Sequence, residues 1–143
     1  MFSQPIKSVM EKRKLLMAPP DTTVRRAAEM MSSYHVGAVL VVEDERLLGI
    51  FTERDAVFRV LACNLDPDET LIEDVMTSSP KTISPDKTFG HAMLVMHENG
   101  FRHLPVIENG KPVGIVSSRN ALDPSLEEFV AEERRRKHLL ETR

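Results

Sequence analysis

The chain has one cysteine, no tryptophan, one tyrosine and no large excess of either charge: 19 Lys and Arg stand against 22 Asp and Glu, a formal net charge of −3 over 143 residues. Each shortage excludes something. One cysteine cannot close an internal disulfide, and Cys63, preceded by the apolar Val60, Leu61 and Ala62, is expected to be a packed thiol. The charge balance excludes a strongly basic protein. With aromatic residues at 5% and no recognisable reading helix, nucleic acid is not an expected partner. No apolar run approaches the roughly 18 residues that a membrane span needs. Met1-Phe2-Ser3-Gln4-Pro5 also lacks the basic and apolar regions of a secretion signal, so a cytoplasmic location with no membrane partner is expected.

Catalytic signatures are missing too. There is no Gly-x-Ser-x-Gly elbow, no Walker loop and no Gly-x-Gly-x-x-Gly fingerprint. His91, His97 and His103 are each six residues apart, which on a helix turns successive members to different faces, while His35 and His138 stand alone. No metal site is expected. The carboxylates of Glu43-Asp44-Glu45 and of Asp66 to Glu69 fall at turns or helix starts and form no acid/base pair. The basic runs Lys12-Arg13-Lys14 and Arg134-Arg135-Arg136-Lys137 could meet a polyanion, but Glu127, Glu128, Glu132 and Glu133 precede the latter and favour a salt-bridged helix surface. The expectation is a protein that is not an enzyme and requires no cofactor.

What the sequence does have is a repeat. Gly49-Ile50-Phe51-Thr52-Glu53-Arg54-Asp55 returns as Gly114-Ile115-Val116-Ser117-Ser118-Arg119-Asn120, an offset of 65 residues (49 to 114). The same offset pairs Asp21 with Asp86, Thr23 with Thr88, Ala27 with Ala92, Met31 with Met96, Val41 with Val106 and Glu43 with Glu108. A lead-in, Ile6 to Met10, returns as Ile72 to Met76 at an offset of 66 (10 to 76). Such self-similarity fixes the architecture before any local reading. The units are placed at residues 5–65 and 70–122, followed by a helical tail over 124–143. Half-domains of this size cannot bury both faces of a sheet alone and must share a core about a pseudo-twofold axis.

Within the first copy, Val24, Ala27, Ala28, Met31 and Tyr34 recur at helical spacing behind the cap candidates Asp21, Thr22 and Thr23. Ala38 to Val42 and Leu47 to Phe51 read as a hairpin of strands, and Thr52 as the cap of a helix through Ala56, Val57, Val60 and Leu61. The second copy repeats the plan: Thr88 caps a helix ended by Gly100, and strands at Leu104 to Glu108 and Pro112 to Val116 flank the turn Asn109-Gly110. Leu16-Met17 and Thr82-Ile83 are short lead-in strands. Leu126, Phe129, Val130, Leu139 and Leu140 mark the tail helix. Met30, Met31, Met93 and Met96 fall at core spacing and are expected to fill gaps between the halves.

The repeated motif ends a buried strand and starts a helix at a hydroxyl, an arrangement that suits an anion. Asp55, one turn on, can accept from two vicinal hydroxyls such as those of a ribose. Taken alone, Thr-x-x-Asp is equally an ordinary helix cap.

Duplicated inside a duplicated unit, and joined by Val9-Met10, Val75-Met76 and Leu104-Pro105-Val106, the motif resembles a tandem pair of cystathionine β-synthase (CBS) domains, over residues 5–122. The resemblance implies an α+β fold of two βαββα units packed sheet to sheet, with two clefts that take adenosine-containing ligands such as AMP, ADP, ATP or NAD. Carried over, Thr52 and Asp55 match the phosphate-side hydroxyl and the ribose carboxylate, and Ala18, Gly37 and Ala38 match an adenine pocket. In the second copy Ile83, Arg102, His103, Leu104 and Pro105 hold the corresponding positions, with Ser117 and Asn120 closing the motif. Arg102 and His103 are either phosphate ligands or ordinary strand residues, and Arg54 and Arg119 either phosphate contacts or an exposed first turn. Asn120, being neutral, lacks the charge-assisted ribose bond and makes its cleft the weaker one. The resemblance also implies a stand-alone regulatory module, a homodimer through the stretches 53–64 and 118–122 with the tail, and an unidentified effector protein. A scaffold that has lost one or both nucleotide sites is the alternative.

Overall fold

The computed structural model describes residues 2–10, 15–121 and 132–140. Helix α1 (Val24–Tyr34) starts where Thr23 Oγ1 accepts from the Arg26 N–H at 3.1 Å and buries Val24, Ala27 and Met31. Its copy α4 (Phe89–Asn99) starts where Thr88 Oγ1 accepts from the His91 N–H at 3.1 Å and buries Phe89, Ala92 and Met96. Both end in the left-handed region, at His35 (φ 54°) and Gly100 (φ 71°), whose N–H groups return to the last turn.

Strands β1 (Met17–Ala18), β2 (Ala38–Glu43), β3 (Arg46–Thr52) and β4 (Thr77–Ser78) form one sheet in that order, with β1 parallel to β2 and the remaining pairs antiparallel. Strands β5 (His103–Glu108) and β6 (Lys111–Ser117) form the second hairpin. The repeat extends to a bulge, which falls between Val41 and Val42 in one hairpin and between Val106 and Ile107 in the other. The turns differ: Asn109 and Gly110 carry φ of 53° and 77°, while Asp44 and Glu45 reach 53° and 63° without a glycine. The lead-in strand expected at Thr82-Ile83 shrinks to a single parallel bridge from Ile83 to Val106, with the Ile83 N–H bonded to Pro105 O at 3.0 Å.

The lead-ins change halves. Short helix α3 (Ile72–Val75) packs Ile72 and Val75 among Val24, Ala27 and Phe51 of the first copy, and the turn Ile6–Ser8 sends Ile6 among Phe89, Leu104 and Val116 of the second. Backbone bonds fix both: Ile72 N–H to Thr22 O and Ile6 N–H to Lys87 O, each 2.8 Å. This exchange explains the motif glycines. A Cβ on Gly114 would lie 2.6 Å from Met10 Sδ, and one on Gly49 would overlap Met76 Sδ and lie 2.7 Å from Thr77 O. Gly49 is therefore required by the Thr77 carbonyl and Met76, and Gly114 gives room to Met10, each methionine docked from the opposite half.

A third apolar layer joins the sheets. Ala38, Leu40 and Ile50 of the first meet Ile115 of the second, while Val39 and Val41 face the helices. Burial on both faces accounts for the continuous apolar run in β2.

After Thr52 the chain makes a three-residue α-turn, Glu53–Asp55 (α2), and then a π-helix, Ala56–Leu61, in place of the ordinary helix expected. The wide turn buries Val60 and leaves Val57, Phe58 and Leu61 exposed at 48%, 59% and 67%. It also turns Cys63 outward. The thiol is exposed and bonds Phe58 O at 3.5 Å, which corrects the packed-thiol expectation: of its apolar neighbours only Val60 is buried, while Leu61 and Ala62 stay exposed among the described residues. In the second copy the corresponding segment is a 3₁₀ turn, Ser118–Ala121.

Residues 132–140 form helix α5, exposed throughout, with Arg136 pairing to Glu132 and Glu133 at 3.5 and 3.4 Å. Leu126, Phe129, Val130 and the Lys12-Arg13-Lys14 run lie outside the described residues. Among the described residues no helix is long and apolar enough to cross a membrane, and no three metal-ligating side chains converge.

Candidate functional site

Two clefts open between the halves. The larger, about 890 Å³, lies over the Thr52–Asp55 motif, and the smaller, about 240 Å³, lies over Ser117 to Arg119. Identical backbone bonds set both corners: Glu53 N–H to Gly37 O at 3.0 Å, and Ser118 N–H to Arg102 O at 2.9 Å.

In the larger cleft Asp55 is nearly buried and fully engaged as a cap. Its Oδ2 accepts from the Thr52 N–H at 2.9 Å and the Thr52 hydroxyl at 3.2 Å, and its own N–H donates to Thr52 Oγ1 at 3.3 Å. Arg59 Nε stands 3.5 Å from Oδ1 and donates through Nη1 to the carbonyls of Val75 and Met76 at 3.2 and 3.0 Å. The carboxylate is thus held in one orientation, and its oxygens together retain room for further donors, since a carboxylate offers about four lone-pair sites.

Facing this corner are the segment Thr77, Ser79, Pro80 and Lys81 and the approach to β5, from Gly100 to His103. Four cationic side chains, Arg54, Arg59, Lys81 and Arg102, outnumber the carboxylates Glu53 and Asp55 there. Ile50, Val57, Phe58 and Phe101 give it apolar walls, and the Arg54 guanidinium lies 5.4 Å from the Phe58 ring centre.

The smaller cleft is polar. Arg102, Arg119, His35 and His103 bring nitrogen, Ser117 and Ser118 hydroxyls, and Glu53 a carboxylate; Leu15, Leu16, Val36 and Ile115 close its floor. His103 has its pKa lowered by burial and then by Arg119 and Arg102, against an opposing pull from Glu53. Glu53, Arg102 and His103 line both clefts.

The carried-over residues are therefore grouped differently from the grouping that the resemblance implies. Gly37 and Ala38, placed by sequence with Asp55, line the cleft of Ser117 and Arg119. Arg102 and His103, placed with the second motif, face Thr52, Arg54 and Asp55 as well. The physical reason is the crossing at the pseudo-twofold axis, which sets the motif of each copy against β-strand starts of the other. Ala18, Ile83 and Pro105 are buried in strand or bridge positions and line neither cleft. The backbone of Asn120 belongs to the 3₁₀ turn; its side chain lies outside the described residues.

Sequence reasoning missed Arg59, Lys81, Phe58 and Phe101. Arg59 alone had a signal, the i to i+4 spacing from Asp55 that favours an ion pair.

The family model for the CBS domain matches twice, over residues 6–62 and 72–126. A CBS domain-containing protein of Arabidopsis thaliana is 39% identical over 104 residues, which is 72% of this chain but 19% of that protein. The chain thus spans about a fifth of that relative. A conserved protein from Pyrococcus horikoshii superposes with a TM-score of 0.81 at 32% identity, covering 87% of this chain and 94% of the other. A CBS domain protein from Pyrobaculum aerophilum, solved in complex with AMP, superposes with a TM-score of 0.75 at 25% identity, covering 82% and 89%. With two matched copies, a lead-in exchanged between them and two clefts at their junction, this chain belongs to the CBS domain family as a tandem pair.

Proposed function

We propose that the chain is a non-enzymatic regulatory module that binds an adenosine-containing ligand in the larger cleft and passes its occupancy to a partner protein or to its own homodimeric assembly. One observation carries this reading: the cleft sets a rigid Thr52–Asp55 corner against Lys81 and Arg102 across about 890 Å³, within the roughly 300–1,000 Å³ of small-molecule sites. Asp55 accepts the ribose hydroxyls, Phe101 and Val57 flank the base, and Arg54, Lys81 and Arg102 meet phosphate. The AMP complex of the Pyrobaculum aerophilum relative supports the ligand class.

A thermal-shift series with AMP, ADP, ATP, NAD and S-adenosylmethionine tests it, because a ligand at 100 times its Kd adds roughly 2.7 kcal/mol of stability. Calorimetry should then show Asp55→Asn, which copies the residue at position 120, weakening the best ligand about tenfold through loss of the charge-assisted bond. Undiminished affinity in that variant would remove Asp55 from the site. A second reading, an interaction scaffold without nucleotide, rests on the engagement of Asp55 by Thr52 and Arg59. No shift with any of the five compounds selects it.

A further inference from the structure

Arg59 touches both walls of the larger cleft, and the repeat carries it only once. At the 65-residue offset its counterpart is Pro124, so a guanidinium in the first copy is matched by a ring without a donor in the second. From the π-helix the side chain reaches two places. Nε stands 3.5 Å from Asp55 Oδ1 on the same wall, and Nη1 donates at 3.2 and 3.0 Å to the carbonyls of Val75 and Met76, which end helix α3 at the root of the opposite wall. Carbonyls at a helix end lack intrahelical donors, and Arg59 supplies them.

From Met76 the chain runs directly into the wall that faces Asp55. Thr77 and Ser78 of β4 pair with Ile50 and Gly49, the Ser79 N–H donates to Leu48 O at 3.0 Å, and Thr77, Ser79, Pro80 and Lys81 line the cleft. One guanidinium therefore spans from the carboxylate to the base of the segment opposite it. Its five donors form a rigid fork that can meet acceptors on two sides, whereas an ammonium concentrates its charge at one point of a flexible stem. Asp55 Oδ2 is taken by the Thr52 N–H and hydroxyl at 2.9 and 3.2 Å, so the carboxylate is gripped through both oxygens.

We propose that Arg59 is the positioning residue of the larger cleft: it aims the Asp55 carboxylate and sets the spacing between the Asp55 wall and the 77–81 wall, without itself touching the ligand. The proposal rests on the reading of this cleft as an adenosine site.

Amide hydrogen exchange on the ligand-free chain tests the clamp itself. In Arg59→Met the amides of Thr52 and Ser79, one on each wall, should exchange roughly tenfold faster, while that of Ile107, bonded to Ile83 O at 2.9 Å in the second half, keeps its rate. Equal acceleration at all three, or none at Thr52 and Ser79, would make Arg59 an ordinary contributor to stability and overturn the proposal. Calorimetry with AMP and with adenosine then tests the consequence for binding. Both probes should weaken by the same factor, roughly tenfold, in Arg59→Met and in Arg59→Lys, and that loss should shrink in an Asp55→Asn background, where the carboxylate that Arg59 aims is gone. Loss confined to AMP would mean a direct phosphate contact, full affinity in Arg59→Lys would mean that charge alone suffices, and an undiminished loss in the Asp55→Asn background would mean that Arg59 acts independently of that carboxylate. Each of these outcomes rejects the positioning role. If neither probe binds the wild-type chain, the proposed function fails while the exchange rates still decide whether Arg59 holds the two walls.

Discussion

His103 shows how one side chain couples this junction to pH. Half-buried near Glu53, Arg119 and Arg102, it has its pKa lowered from the ordinary 6.5 by burial first, with Glu53 pulling it back up and the two arginines adding smaller decreases. A lowered histidine pKa means that the unfolded chain takes up a proton at a pH where the folded chain does not. Stability is then fully present above about pH 6.5, falls as the pH drops below it, and levels off beneath the folded-state value. Of the charged groups around it, Glu53 alone opposes this slope. Thermal midpoints measured between pH 7.5 and 5 should fall more steeply for the wild-type protein than for His103→Gln; parallel curves would remove His103 as the cause. Other single residues were legible in part. Thr52 and Thr88 as caps follow from local chemistry, whereas Cys63 was misjudged because its exposure depends on a π-helical turn that apolar spacing does not encode.

At the scale of elements, the π-helical segment after α2 is where form and the proposed assembly meet. Val57 and Phe58 lie both on the wall of the larger cleft and among the exposed apolar side chains, and Leu61 continues that exposure one turn on. A ligand against Val57 and Phe58 thus touches the same short stretch that a second copy would cover. An apolar face about half exposed costs solvation that burial against a partner recovers at about 25 cal/mol per Å². Light scattering on the purified chain should return a dimer, and Leu61→Glu, which places a charge on that face without touching either cleft, should shift it toward monomer. A monomer in the wild-type protein with and without ligand rejects the helix-mediated homodimer. The sequence marked this stretch as amphipathic over 53–64, and it could not show the change of helix type. Within the π-helix Arg59 is held at once by Asp55 and by the carbonyls of Val75 and Met76, 16 and 17 positions away, contacts that no local pattern encodes.

For the whole molecule, the repeat told where the units lie but not how they exchange parts. An offset of 65 is satisfied equally by two halves that each keep their lead-in and by two that trade them; only packing distinguishes these, and it places Ile6 in the second half and Ile72 in the first. The same ambiguity hid which motif faces which strand, and so hid the shared wall of Glu53, Arg102 and His103. Exchange has a thermodynamic consequence. Ile6 and Ile72 are both completely buried, the sheets share a further layer through Ala38, Leu40, Ile50 and Ile115, and each lead-in is bonded to the backbone of the other half. Neither half can then open without stripping the other of part of its core, so unfolding should be a single cooperative transition despite the twofold repeat. Ile6→Ala and Ile72→Ala, although in different clusters, should each lower the stability of the entire chain by roughly 2–5 kcal/mol. In both variants fluorescence from a tryptophan placed at Tyr34 and one placed at Leu94, on the helices of the two halves, should report the same denaturant midpoint. Two separated midpoints, with only one moved by each substitution, would show that the halves fold independently and that the exchanged lead-ins do not couple them.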